Sequence, residues 1–287
     1  MFEQPPSENA SDVQISLADL SVQKWADEEK LPVINPTEYS FYVPEVGYYR
    51  VLNGSVIIVA PLSAAGSAEV RLFLLGTAWG ALCYQRGLPV FHASAVLARN
   101  GVAAFCGEAG MGKSSMLAWL TNCGYPFVSD DLCRFDIPDH GAPVVHPSTP
   151  RLKLWRDALG AMGLKSDKLE RDHFRFDKFH LQWTGQMSRQ PFPLQGIYLL
   201  EWGEPGIMRL SGREAMSRFM TAATYRGELL EPMGQLGWYW DSCLKVLNRV
   251  PVWELKRPRD LSTMENTVKL LEDHWVDIGL EIANDDK

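Results

Sequence analysis

Gly107-Glu108-Ala109-Gly110-Met111-Gly112-Lys113-Ser114-Ser115 is the stretch that decides how this chain is read. Its first eight residues fit the pattern G-x-x-x-x-G-K-[ST] without a mismatch. The flanks fit as well. Residues 102–106 are a short apolar run that reads as a buried strand, and residues 115–120 read as a helix that stops near Gly124. Strand, glycine loop and helix in that order give the pattern its meaning. Glycines let successive backbone N–H groups turn toward one anion with no Cβ in the way. The helix that starts there adds the positive end of its dipole. Residues 107–115 are therefore expected to cradle the phosphates of a nucleoside triphosphate. Lys113 is expected to reach the β- and γ-phosphates, and the Ser114 hydroxyl to ligate Mg²⁺.

The rest of the chain limits what such a loop serves. It has 287 residues, 46% of them hydrophobic and 22% charged, enough for a sizeable core. The net charge is -7 and no dense Lys/Arg run occurs, so neither nucleic acid nor an anionic membrane is an expected partner. No apolar stretch has the length of a membrane span. The first residues lack the basic and apolar regions of a signal peptide, so a cytoplasmic location is expected. The five cysteines include no C-x-x-C pair and read as reduced, mostly buried thiols, not as zinc ligands.

Around the loop the pattern alternates strands and helices, which implies an α/β sheet fold. Residues 39–43, 48–52 and 55–60 read as strands, and Asn53-Gly54 is a strong hairpin signal. Residues 68–86 have helical spacing and are expected to form a buried helix ending at Gly87. Residues 1–86 thus form a β-rich region ending in a helix, and residues 87–287 the core. The expected roles of the first region are packing, contact with a second copy in a homo-oligomer, or acceptor binding. Residues 90–97 read as one strand that carries His92, and residues 127–135 as a strand end that carries Asp130 and Asp131. Residues 156–190 are polar and read as helical turns and loops. Further strands are expected at 194–201 and 252–255. Helices are expected at 211–223, with Ser211 and Glu214 as a capping pair, at 238–247 and at 261–274.

Asp130 and Asp131 follow Lys113 by 17 and 18 residues. Neighbours on a strand face opposite ways, so the two carboxylates share one job only if the strand ends between them. One is expected to act as base for an attacking hydroxyl, and the other to hold Mg²⁺ or orient a neighbour. His92 lies in an otherwise apolar run, and a hydrogen bond to this carboxylate pair would explain its presence there.

The order Leu88-Pro-Val-Phe-His92-Ala-Ser-Ala-Val, residues 107–115 and Val128-Ser-Asp130-Asp131 resembles the HPr kinase-like family of P-loop proteins, related in fold to phosphoenolpyruvate carboxykinases. Tyr49-Arg-Val-Leu-Asn-Gly54, Gln85-Arg-Gly87 and His146-Pro-Ser-Thr-Pro-Arg151-Leu-Lys-Leu-Trp155 look like one branch of it, the kinases of lasso-peptide precursors. Residues 194–200, Thr224-Tyr225-Arg226 and residues 249–252 continue the likeness, which spans roughly residues 45 to 275. The resemblance implies an HPr kinase-like P-loop core that uses ATP and Mg²⁺. It implies Lys113 and Ser114 at phosphates and metal, Asp130 as catalytic base, and His92 with Asp131 in support, Asp131 also near the metal. Arg151, Lys153, Lys178 and Arg226 become candidate substrate-binding cations. The acceptor it implies is the C-terminal serine of a ribosomal precursor peptide. Free serine, another small hydroxyl compound or an HPr-type protein would use the same site. The glutamate- and arginine-bearing signature that true HPr kinases carry after the Asp-Asp pair is missing, so reverse phosphorolysis is not expected. A nucleotide-binding regulatory module without transfer chemistry would not need Asp130, Lys113 and His92 together.

Overall fold

Strand-forming runs and glycine turns alternate along the chain. A computed structural model describes residues 12–19, 31–62, 65–99, 101–167, 169–171 and 177–280. Two units result, one of residues 1–87 with 228–236, the other of residues 88–227 with 237–287. The fold is mixed α/β. Asn100, expected to turn the chain into the strand before the glycine loop, lies outside the described residues.

The first unit holds β1 (Gln14–Leu17), β2 (Val33–Ile34), β3 (Glu38–Val43), β4 (Gly47–Leu52) and β5 (Val56–Pro61), in the spatial order β1-β5-β4-β3-β2. Asn53 and Gly54 take φ of 52° and 62°, the left-handed pair that joins β4 to β5 through a tight turn. Alternate residues Tyr39, Phe41, Tyr49, Val51, Ile57 and Val59 are buried on these strands. The expected single helix is α1 (Ser67–Phe73), a wide π turn at Leu74–Ala78 and α2 (Trp79–Gln85). Its burial differs from expectation. Residues 70 to 75 are apolar nearly all round, so no single face can take them in, and none of the α1 residues is buried. The smaller residues 76–78 and the α2 residues 80–84 are buried instead.

The second unit runs through β6 (Val90–Phe91), β7 (Ala93–Ala98), β8 (Gly101–Cys106), α3 (Lys113–Asn122), β9 (Phe127–Ser129), β10 (Cys133–Asp136) and β11 (Val144–Val145). It continues with β12 (Arg151–Trp155), α4 (Arg156–Ala161), β13 (Glu170–Arg171), β14 (Lys178–Gln182), β15 (Phe192–Trp202), β16 (Gly206–Leu210) and α5 (Gly212–Ala223). The last elements are α6 (Leu236–Leu247), β17 (Val252–Arg257) and α7 (Met264–Asp277). The central neighbours are β9-β7-β8-β15-β17-β16. The start of β15 pairs instead with β11, which leads on to β10 and β6.

Strand direction decides where the site lies. β8, β15 and β17 are parallel, so Cys106, Trp202 and Arg257 end on one edge. β7 is antiparallel to β8 and to β9. The start of β7 and the end of β9 therefore reach that same edge, where ligands of open α/β sheets bind. Behind it, Met116, Leu117 and Leu120 of α3 and Val268, Leu271 and Trp275 of α7 share one core with Phe105, Tyr198 and Leu255.

Three local expectations are corrected. Residues 90–97 are not one strand. The chain changes partners at His92, from β10 to β8 and β9, and the His92 N–H donates to the Ala223 carbonyl at 2.7 Å. The polar stretch 156–190 contains β14, which pairs with β12 just before the stretch and with β13 inside it. Ser211 is the N-cap of α5, but its side chain makes no capping hydrogen bond.

Candidate active site

Gly107 to Gly112 connect the end of β8 to the start of α3. Gly110 and Gly112 take φ of 91° and 77°, conformations that an L side chain rarely adopts. A Cβ on Gly110 would meet nothing within 4 Å, so this part of the loop is open. Gly112 caps α3 without any side-chain hydrogen bond. The Met116 N–H bonds the Gly112 carbonyl. The amides of Lys113, Ser114 and Ser115 precede that first helical bond and form the electropositive end of the helix. Ser115 is buried at the start of the helix. Lys113 Nζ folds back onto the carbonyls of Gly107 at 2.6 Å and Glu108 at 3.2 Å. Burial lowers the proton affinity of Lys113, against the raising influence of Cys106, Asp131 and Asp130. The loop apex, Glu108, Ala109 and Gly110, is exposed.

The two aspartates lie where β9 has ended. The Leu132 N–H bonds the Asp130 carbonyl at 2.9 Å, and Asp131 takes φ 72°. This three-residue turn with a positive central φ is the rare sign of the γ-turn, tolerated here by an aspartate. It sends adjacent carboxylates to different partners. Asp130 is buried, and its Oδ1 accepts from Ser94 Oγ at 2.7 Å and from Ser114 Oγ at 3.0 Å. Its Oδ2 lies 3.4 Å from the Lys153 amide. Asp131 Oδ2 accepts a short hydrogen bond from Lys153 Nζ, and its Oδ1 is 3.6 Å from His92 Nε2.

These surroundings push the pair apart. Burial, and then the charge of Asp131, raise the proton affinity of Asp130. Burial opposes ionisation of Asp131 too, but Lys153 and His92 outweigh it and hold that carboxyl below the usual range. Burial and the charge of Lys113 push His92 down to about 4, so it is neutral at physiological pH. The His92 ring meets Tyr225 edge-on at 5.9 Å.

The strands β12 and β14 supply a cationic face. Leu152 and Leu154 turn into the core, so Arg151, Lys153 and Trp155 share the opposite face of β12. The register sets Lys153 across from His180 and Trp155 across from Lys178. Lys178 Nζ lies over the Trp155 ring at 5.7 Å. The charge of Lys178 is felt at His92, Lys113, Asp130 and Asp131.

The fold thus brings Lys113, Ser114, Asp130, Asp131, His92, Lys153 and Lys178 together, with Arg151 on the face of Lys153. Arg226 follows Tyr225 directly and takes φ 48°. Ser114 bonds Asp130, because the turn aims Asp131 at Lys153. Sequence reasoning missed two residues. Ser94 enters the site because β7 starts at the same edge. Arg257, at the end of β17, donates to the loop carbonyl of Met111 at 2.8 Å. Nothing set Arg257 apart from Glu254 and Lys256, the other charges of β17.

No protein-family model matches the chain, and no curated protein matches it. Among solved structures, the chain is similar to the HPr(Ser) kinase/phosphatase from Coxiella burnetii. The identity is 12% and the TM-score 0.37, over 67% of this chain and 99% of that one.

Proposed function

We propose that this protein is an ATP-dependent kinase of the HPr kinase-like kind, and that it transfers the γ-phosphoryl group to a serine hydroxyl at the C-terminus of a lasso-precursor peptide. The observation that carries this reading is the placement of Asp130. A buried carboxylate of raised proton affinity lies within hydrogen-bond reach of the Ser114 hydroxyl, beside an open glycine loop and Lys113.

The residues present fit the groups the reading requires. The free amides at the start of α3, the open loop at Gly110 and the Lys113 ammonium suit a run of phosphates. Ser114 Oγ, a hard oxygen at the start of α3, suits Mg²⁺, which takes few protein ligands and completes its shell with phosphate and water. Bound there, Mg²⁺ would offset the negative charge of the phosphate oxygens.

Asp130 takes the proton of the acceptor hydroxyl as its oxygen bonds to the γ-phosphorus and the bond to the β-phosphate oxygen breaks. A carboxylate of raised proton affinity is a better acceptor for that proton. Lys113 moves from the carbonyls of Gly107 and Glu108 to the phosphate oxygens. Lys153 keeps Asp131 ionised and in place. Arg151, Lys153 and Lys178 form the face that meets the acceptor, and a C-terminal serine brings a carboxylate beside its hydroxyl for them to pair with.

The test is phosphate transfer from ATP and Mg²⁺ to a peptide ending in serine, followed by mass spectrometry. The free acid should gain one phosphate, the C-terminal amide should react far more slowly, and Lys113→Ala should lose at least about a hundredfold in rate. Equal rates on acid and amide would remove carboxylate recognition. Transfer to free serine but not to peptide would make the protein a small-molecule kinase. Full activity in Lys113→Ala would end the kinase reading.

A further inference from the structure

Arg257 is 1% exposed at the end of β17. Its Nη2 donates to the Met111 carbonyl at 2.8 Å and lies 3.5 Å from that of Gly112. Its Nη1 meets Met264 Sδ at 3.6 Å, and its guanidinium lies over the Trp202 ring at 4.3 Å. Its Nε is buried without a partner. Burial alone acts on its ionisation and lowers it to about 10, with no opposing carboxylate among the described residues. Buried arginines are ordinarily paired with an anion. This one has carbonyls, a ring and a thioether.

Two consequences follow from elementary geometry and charge. In a trans peptide the carbonyl and the next N–H point opposite ways. Turning the Met111 carbonyl onto Arg257 therefore turns the Gly112 N–H away from it. The Gly112 carbonyl acts likewise on the Lys113 N–H. Glycine is required for this approach, because a Cβ at residue 112 would lie 2.3 Å from Arg257 Nη2. Secondly, a guanidinium without a carboxylate leaves a net positive charge directly behind the loop. The two aspartates of the site are engaged elsewhere, Asp131 with Lys153 and Asp130 with two serine hydroxyls.

We propose that Arg257 is a positioning residue for phosphate, aiming the loop amides through the Met111 and Gly112 carbonyls and taking the bound phosphate as its missing counterion. This rests on the nucleotide reading of the loop given above.

The experiment is calorimetric titration of AMP, ADP and ATP, each with Mg²⁺, into wild type, Arg257→Met and Arg257→Lys, with thermal melting of each variant. Arg257→Met should lose roughly tenfold in ATP affinity, the scale of one hydrogen bond to a charged group. The loss should be smaller for ADP and smallest for AMP. Arg257→Lys keeps the charge but not the fork, so its losses should be smaller and graded in the same order. Equal losses for all three nucleotides would mean general damage to the fold and would overturn the proposal, as would no loss. If Arg257→Met does not fold, Arg257→Lys decides by the same criterion. Wild type that binds none of the three overturns both this proposal and the nucleotide reading. Wild type that binds while the variants show no grading overturns this proposal alone.

Discussion

Asp130 and Asp131 differ by one position in the chain and oppositely in proton affinity, and the difference is testable in the rate. If Asp130 is the base, kcat falls on the acid side as Asp130 takes up its proton. The charge of Asp131 raises Asp130, and that of Lys153 lowers it. Asp131→Asn removes a negative neighbour while leaving Lys153 in place, so the acid limb of kcat should move to lower pH. Lys153→Met removes a positive neighbour, so the limb should move to higher pH. Displacements in opposite directions in pH–rate profiles support the assignment. A limb that stays put in both variants places the titrating group elsewhere. Asp130→Asn should keep ATP affinity and lose about a hundredfold or more in kcat. At this scale the spacing pointed to the pair and left its division of labour to the resemblance. The division depends on the positive φ at Asp131, and an Asp-Asp dipeptide carries no sign of which residue will turn.

Among the elements, hydrophobic pattern was legible wherever the partner lay close in sequence or the run was long. β3, β4 and β5 declared themselves through alternation and the Asn-Gly turn, and β8 with α3 through the glycine loop between them. β14 did not, because its alternation rests on only two apolar residues, Phe179 and Leu181, within a polar stretch. The π turn at Leu74–Ala78 leaves no mark in an apolar helical run. The α5 start shows the opposite failure, a signal without the interaction. Ser211 and Glu214 have the spacing of a capping box, yet the Ser211 hydroxyl caps nothing. Ser211→Ala should therefore change stability by no more than about 0.5 kcal/mol, against about 1 kcal/mol for a working cap. Urea unfolding of the two proteins measures this, and a loss of about 1 kcal/mol or more would show that the cap forms in solution.

Over the whole molecule, the same burial that tunes the site makes stability depend on pH, and the sign can be worked out group by group. His92 falls from 6.5 to about 4 on folding, and His274 is lowered from 6.5 as well, both chiefly by burial. The unfolded chain then binds more protons than the folded one below pH 6.5, so stability falls as pH drops from 6.5 toward 4. Glu38, Asp131, Asp136 and Glu254 are lowered despite burial, by Arg50, by Lys153, by His146, and by Lys256 with Arg218. Their contribution is present above the ordinary carboxylate range and is lost as pH falls through their folded values. Asp130 acts in the other direction, because its raised value makes the folded chain bind more protons above 3.8. Acid destabilisation should therefore come in two stretches, a histidine stretch from pH 6.5 to about 4 and a carboxylate stretch below it. His92→Asn should flatten the first stretch in part, and His92→Asn with His274→Asn should flatten it further. His92→Asn should also reduce the Asp131 share of the second, because the charge of His92 helps to lower that carboxyl. Denaturant unfolding at steps of pH reads both stretches directly. An unchanged slope above pH 4 in the double variant would mean that these imidazoles are not the neutral, half-buried groups that the fold requires of them.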